Sequence, residues 1–392
     1  MFKKIILAAP LAAMLAVPNA QAADTIKVGI VLTLTTPASI IGKNMKAAFE
    51  VAHKHLGGKI GDKKLELIFE DDQLKPNIGK QKTEKLIKKD KVDFMTGFIW
   101  SHVMGASAPV ALKAGKIFIS ANAGHSLYAG KKCHKNFFNV AWENSQTPMA
   151  MGELLNRRGV KKLYIMSLNY AAGKQMVTGV ERTFKGETVG KDLVPMSHKD
   201  WSAELAKVKS AKPDGVFVFY PGAWGPAFFT QYKQAGLNKT TPLYNVFSID
   251  GANLPVFQKR KMNHLIGMFN TSFWAPDLDN ATNKRFVADF AKHYKGQVPA
   301  HYAAQAYDAL MLIAAGVKAA GGDPKNTDAV RKGMEKADFP SVRGKIKFGK
   351  NHFPIQNFYS RQVVNKGGKW QLSVRETVLE DHAPVMSGEC KL

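Results

Sequence analysis

The chain has 392 residues, 45% of them hydrophobic, with two cysteines and a formal charge of +25 at pH 7. That length exceeds what one core ordinarily supports, so two domains are expected. Nucleic acid is the obvious partner for such a charge. The lysines, however, are spread through helical and loop segments such as 80–91, not gathered into one basic, aromatic-studded motif, and this argues against it. A solvated basic surface remains, with a positive field able to steer anionic ligands or partners.

The N-terminus reads as a secretory signal over residues 1–22. Lys3 and Lys4 supply the positive region, Ile5–Val17 the apolar core, and Ala20-Gln21-Ala22 the small-x-small cleavage pattern. That apolar core is too short to span a bilayer, and no later stretch is long enough either. The expected product is soluble and periplasmic, with about +23 charges over about 370 residues once the signal leaves. An exported protein rarely meets nucleic acid.

The elements then follow in order. Ile26–Leu34 is a near-continuous apolar run, as a parallel strand buried on both faces requires. A Thr/Pro/Ser loop and a helix through Ala47, Ala48, Val51 and Ala52 follow. Leu65–Phe69, Val92–Thr96 and Ile117–Ile119 read as strands, with a basic helix from Pro76 to about Lys89 and another starting near Ser101. The strand at Ile117 breaks into the small residues Ser120–Gly124, which would let a ligand approach the backbone at a strand's carboxyl end. An aromatic run, Phe137–Trp142, follows, with a candidate helix cap at Asn144 or Ser145.

The alternation then restarts. Helices are predicted near 147–156 and 173–184, a helix start at Trp201-Ser202, and strands at Lys162–Met166, near Val194, at Val216–Tyr220 and at Leu243–Phe247. The segment Leu265–Phe273 is extended and apolar. Helices over roughly 280–294, 302–320 and 326–336 precede two strands, Gly344–Phe348 and Phe358–Val364, and a tail from about Glu376. Strands alternating with helices over short joins give an α/β class with parallel sheets. In an exported chain Cys133 and Cys390 are free to pair, tying the last residues back to the middle of the chain. Two cysteines without histidine spacing make no zinc site.

Taken in order, IKVGIVLTLT, DFMTGF followed by a serine, IFISANAGHS, the tyrosine of SLNYAAGK, FYPGAW, SFWAPDLDNATNKRFVADF, HYAAQAYDA and SVRGKIKF resemble the periplasmic substrate-binding proteins of the branched-chain amino acid (leucine–isoleucine–valine) transporter class. The resemblance implies a type I periplasmic binding fold: two doubly wound parallel-sheet lobes, three hinge crossovers, and a ligand cleft between the lobes. Lobe one would be 23–141 plus 272–355, and lobe two 142–271 plus 356–375. A tail of 376–392 would be held by the Cys133–Cys390 bridge. The partners implied are a small carboxylate and the membrane permease subunits of an ABC importer. The protein would be a monomer, without cofactor, metal or nucleic acid.

The same resemblance marks the site. Ser101 and the stretch Asn122-Ala123-Gly124 match the family's carboxylate holders, although amino-acid binders usually carry threonine or serine where Gly124 stands. A hydroxyl beside free N–H groups at a helix start suits a carboxylate, and Ser101 could equally be a plain N-cap. Tyr170 matches the tyrosine that closes over the ligand. Trp100, Tyr220 and Trp224 are expected near the cleft, with a core position for Tyr220 and a surface position for Trp224 as the alternatives. His102 either bonds a carboxylate or phenol or caps its helix. Where amino-acid binders place a glutamate for the ligand's ammonium group stands Phe247, while Asp250 reads as turn chemistry at Asp-Gly. An aromatic acid of benzoate, hydroxybenzoate or cinnamate type fits this set better than an α-amino acid. Branched-chain amino acid import and presentation of a ligand to a membrane sensor are the alternatives. No nucleophile motif, phosphate loop, metal-spaced histidine set or acid pair supports an enzyme.

Overall fold

The computed structural model describes residues 25–392, so the expected signal peptide lies outside the described residues. Two sheets organise the chain. The first contains β1 (Ile26–Leu32), β2 (Lys59–Ile60), β3 (Lys63–Asp71), β4 (Phe94–Gly97), β5 (Ile117–Ser120) and β6 (Phe137–Asn139), in the order β2-β3-β1-β4-β5-β6. The second contains β7 (Lys162–Leu168), β8 (Glu187–Val194), β9 (Gly215–Phe219), β10 (Leu243–Asn245), β11 (Phe269–Ser272), β12 (Lys347–Phe348), β13 (Pro354–Lys366) and β14 (Lys369–His382). Its order is β12-β13-β11-β10-β9-β7-β8, with β14 on β13. Central strands are parallel and almost wholly buried, the half-buried Lys27 of β1 excepted, which is why β1, β4, β5 and β9 read as near-continuous apolar runs. The sheets are mixed, however: β2 runs antiparallel to β3, and β13 antiparallel to β11, β12 and β14.

Three elements depart from the sequence reading. The aromatic run at Phe137 is a strand, β6, paired with β5. Its two phenylalanines are buried, and Phe137 stacks on Phe118 at 5.5 Å. The chain from Glu376 is no free tail, since β14 continues to His382. It pairs with β13 through the two-residue turn Gly367-Gly368, both at positive φ (58° and 81°), the geometry a tight hairpin favours. The predicted strand Leu243–Phe247 stops at Asn245, and Phe247 takes φ +57°, a left-handed conformation that a bulky residue rarely adopts.

The Cys133–Cys390 bridge is formed, with a Cα–Cα distance of 5.6 Å and a sequence separation of 257 residues. In the chain-entropy account a loop that long contributes roughly 5 kcal/mol by restricting the unfolded chain.

The chain leaves the first sheet after β6; after β11 the helix His301–Ala319 returns to pack on the helix Ser39–His55 beside that sheet, and the chain then rejoins the second sheet at β12 and β13, which makes three passages. One buried ion pair reaches all three passages. Asp308, on the buried helix His301–Ala319, meets Arg343 at 2.9 Å, and both side chains are almost wholly buried. Asp308 also accepts from Ser341 Oγ (2.7 Å) and Val342 N (3.0 Å). Arg343 Nη1 donates to Gln356 Oε1 (2.7 Å) and to Ala141 O (3.4 Å), and its guanidinium carbon stands 5.6 Å from the Phe273 ring. Gln356 Nε2 closes the set by donating to Ala141 O (2.6 Å).

Removing one partner of a buried pair leaves the other charge uncompensated. Arg343→Leu is therefore expected to lower unfolding free energy by about 3–5 kcal/mol, read from urea denaturation with intact disulfide. A loss below about 1 kcal/mol would mean that the passages are held by other contacts.

Candidate functional site

A small, closed-down cavity of about 20 Å³ lies between the lobes at the carboxyl ends of the parallel strands, where open α/β sheets bind ligands. Two helices point their N-termini at it. The helix Ser101–Lys113 has Trp100 as its cap residue, and the helix Ala171–Thr183 has Tyr170. Neither cap residue makes a side-chain capping bond, so the first N–H groups of both helices are left for a ligand. Ser101 and Ala172 both stand on the wall.

Between these two helix ends, Asn144 Nδ2 donates to Ser101 Oγ (3.0 Å) and to Gln175 Oε1 (2.7 Å). Its Oδ1 accepts from Trp142 Nε1 (3.2 Å). Asn144 and Trp142 belong to the first passage between the sheets, so the hinge strand is itself part of the wall. Between them Glu143 is fully buried, accepting from Ser126 Oγ and Ser145 Oγ and from Ser145 N (3.1 Å). Burial holds its carboxyl above the usual range.

The remaining wall is apolar and largely aromatic: Trp100, Trp142, Tyr170, Phe219, Phe247 and Tyr302, with Ile41, Ile99, Met176 and Pro221 beside them. Phe247 stacks on the buried His301 ring at 4.3 Å and leans on Trp142 at 4.7 Å, contacts that hold it in its unusual backbone conformation. Burial keeps His301 neutral, well below the ordinary histidine range. Among the described residues no carboxylate side chain lines the cavity. Asp250, three residues beyond Phe247, is fully buried and uses Oδ1 to accept from Ala252 N (2.8 Å) and Asn253 N (3.0 Å), the turn chemistry of Asp-Gly. Burial pushes its carboxyl up to about 7. A larger concavity, about 450 Å³, opens at the opposite, amino ends of β10 and β11 beside Arg158 and His264, away from both helix N-termini.

Residues 25–369 match the periplasmic binding protein family. The chain belongs to that family. It is a solute-binding protein of the kind that serves ABC transporters, not an enzyme, and it has the type I periplasmic binding fold. It is 28% identical over 378 residues to a Leu/Ile/Val-binding protein homolog of Brucella abortus, covering 92% of this chain and 93% of the relative. It is 31% identical, with TM-score 0.86, to an R. palustris ABC-transporter solute-binding protein solved in complex with benzoate, covering 94% of this chain and all of that one. A Rhodopseudomonas palustris BisB5 solute-binding protein, solved in complex with 3,4-dihydroxybenzoic acid, is 27% identical with TM-score 0.84, covering 91% and 99% of the two chains.

Within this solute-binding fold the expected site residues divide. Trp100, Ser101, Asn122, Ala123, Tyr170 and Phe247 meet at the cavity. The side chain of Asn122 is committed elsewhere, donating to Ile99 O (2.6 Å) and accepting from Gln305 Nε2, and the Ala123 N–H donates to Phe98 O (3.0 Å). They shape the wall and offer those groups to no ligand.

Gly124 is off the wall. A Cβ there would lie 2.2 Å from Trp142 O, so the first passage itself forbids a serine or threonine. Tyr220 points into the second lobe's core, against Phe228 (4.7 Å) and Trp201 (5.3 Å). Trp224 stands at the cleft mouth, edge-on to Trp100 at 5.9 Å. His102 follows Ser101 inside the helix, 5.4 Å from the Tyr170 ring, and burial keeps it neutral; it neither caps the helix nor lines the cavity. Trp142, Asn144, Phe219 and Tyr302 were missed.

Trp100 is itself positioned. Its Nε1 donates to Thr33 Oγ1 (2.9 Å), which donates to the buried Asp72 Oδ1 (2.5 Å), while Leu74 N donates to the same oxygen (2.8 Å). Burial, with Asp71 beside it, pushes the Asp72 carboxyl up to about 6. The folded state thus holds this proton more tightly than the unfolded chain. Its contribution is full below about pH 4, the unfolded value, and is lost as pH rises through the folded value. Asp72→Asn keeps both acceptor bonds and removes the titration. Between about pH 4 and about pH 7.5 wild type is expected to lose on the order of 2 kcal/mol relative to the variant, measured as paired thermal midpoints. Parallel pH profiles would contradict this.

Proposed function

We propose that this protein captures an aromatic carboxylate of benzoate, hydroxybenzoate or cinnamate type in the inter-lobe cavity and delivers it, as a monomer, to the membrane permease of an ABC importer. The observation that carries the reading is the polarity of the wall. Two uncapped helix N-termini and the Ser101 hydroxyl, which Asn144 holds in place, offer donors to an anion, whereas no carboxylate there can pair with an ammonium group. The carboxylate would sit between the two helix ends, and the ring among Trp142, Tyr170, Phe219 and Phe247, where offset and edge-on aromatic contacts add to area burial. The benzoate and dihydroxybenzoate complexes of the R. palustris relatives support the same class.

Each lobe contributes one helix end, so a bound carboxylate stabilises the closed arrangement through differential contact. The moving bodies would be 25–141 plus 272–355 and 142–271 plus 356–382, turning about the three passages. The second reading, a branched-chain amino acid, is favoured by the name of the Brucella relative. It would bury an ammonium group against Phe247 with no counter-charge.

Ser101→Ala is expected to weaken benzoate binding roughly tenfold or more, the worth of a hydrogen bond to a charged group. Phe247→Glu, which places a second anion in the cavity, is expected to weaken it by at least about a hundredfold. Calorimetric titration of both variants checks this. Unchanged benzoate affinity in both, or a wild type that binds leucine and no benzoate, would overturn the reading.

A further inference from the structure

A second inter-lobe cavity, about 200 Å³, opens at the cleft mouth just outside the first. Pro37 and Ala38, at the start of the helix Ser39–His55, form one side, and Met196, Trp201, Trp224 and Ala227 form the other. The partition between the cavities is the loop Pro221-Gly222-Ala223-Trp224. Pro221 faces the inner cavity, and Ala223 and Trp224 face the outer one. Two indoles complete the partition. Trp100 stands on the inner wall and meets Trp224 edge-on at 5.9 Å, and Trp224 is fixed to the outer wall by its Nε1 donating to Met196 O (3.0 Å).

We propose that the outer cavity is a second subsite, receiving the distal end of an elongated aryl carboxylate whose ring and first carboxylate occupy the inner site. The inference rests on the carboxylate reading above and extends it. The inner cavity is closed down to about 20 Å³, well below the ~300–1,000 Å³ of small-molecule sites, so a ring enters it only as the lobes part, and its aromatic wall then offers contacts to one ring. The outer one continues it across the Trp100–Trp224 partition and is apolar where it adjoins Trp224, through Met196, Trp201 and Ala227. Toward solvent the wall changes character. Exposed Lys199 and half-buried His198 stand there, and Glu204, the acid nearest His198, approaches it at 3.4 Å. Neighbouring Asp200 is turned to Ser202, accepting from its N (3.0 Å) and Oγ (2.5 Å). The distal end favoured by this wall is therefore apolar next to Trp224 and terminates in an anion beside Lys199. An extended aryl dicarboxylate has that chemistry. Trp224 must turn aside to admit it, and the flanking residues Gly222 (φ +65°), Ala223 and Gly225 present no bulky side chain to obstruct the ring.

The test is calorimetric titration of benzoate, biphenyl-4-carboxylate and biphenyl-4,4′-dicarboxylate against wild type and three variants. Ala227→Phe and Met196→Trp fill the outer cavity from two different elements, so a folding failure in one leaves the other to decide. Each is expected to weaken both biphenyl ligands roughly tenfold, the worth of one buried ring contact, and to leave benzoate unchanged. Lys199→Ala is expected to weaken the dicarboxylate roughly threefold to tenfold and to spare the monocarboxylates. If wild type binds benzoate but neither biphenyl ligand, or if the filling variants move benzoate and biphenyl ligands alike, the subsite is overturned while the inner site stands. If wild type binds no benzoate, the reading of the inner site falls and the subsite falls with it.

Discussion

The pairing of Asp308 with Arg343 is the constraint on which the two-lobed arrangement depends. It joins two segments distant in sequence, HYAAQAYDA and SVRGKIKF, and its free donors reach all three passages between the sheets: Ala141 by its carbonyl, Gln356 by its amide and Phe273 by its ring. A buried ion pair is weak evidence for added stability, because desolvation offsets much of its attraction. Its worth lies in geometry. An anchored, planar guanidinium holds three strands of chain at one point while leaving the bodies on either side free to turn.

That anchoring explains why the ligand wall and the hinge are one element. Immediately after Ala141 the chain supplies Trp142 and Asn144 to the cavity, with Glu143 buried between them on the serine hydroxyls of 126 and 145. Asn144 touches Ser101 of one lobe and Gln175 of the other. On the proposed reading, a carboxylate held by Ser101 would act on the passage through Asn144, linking occupancy to closure through contact, as differential affinity requires. The close packing of Trp142 O against Gly124 belongs to the same arrangement, and it accounts for a glycine where amino-acid binders usually carry threonine or serine.

Much of this was legible in the sequence, and the reasons for the failures are specific. Buried parallel strands announce themselves as apolar runs, so β1, β4, β5 and β9 were readable. Strand β6 was not, because three aromatic-rich residues carry no period. The β13–β14 hairpin had its signal in Gly367-Gly368, a two-residue turn between alternating strands that was passed over. Tyr220 was misplaced by a single residue. Side chains alternate along β9, so Phe219 faces the cleft and Tyr220 the core. Ser101, Tyr170 and Phe247 came from family resemblance and lie on the cavity wall. Trp142 and Tyr302 reach the same wall from the first passage and the helix His301–Ala319, and that convergence is tertiary; no local pattern encodes it.

The central claim is that this cleft is built for an aromatic anion and lacks a place for an ammonium group. Side-by-side calorimetry of the wild-type protein with benzoate and with leucine, at several temperatures, tests it most directly. The account predicts saturable one-to-one binding of benzoate with a negative heat-capacity change, the mark of apolar surface leaving water, and no heat of binding with leucine. Saturable binding of leucine, with benzoate silent, would contradict it.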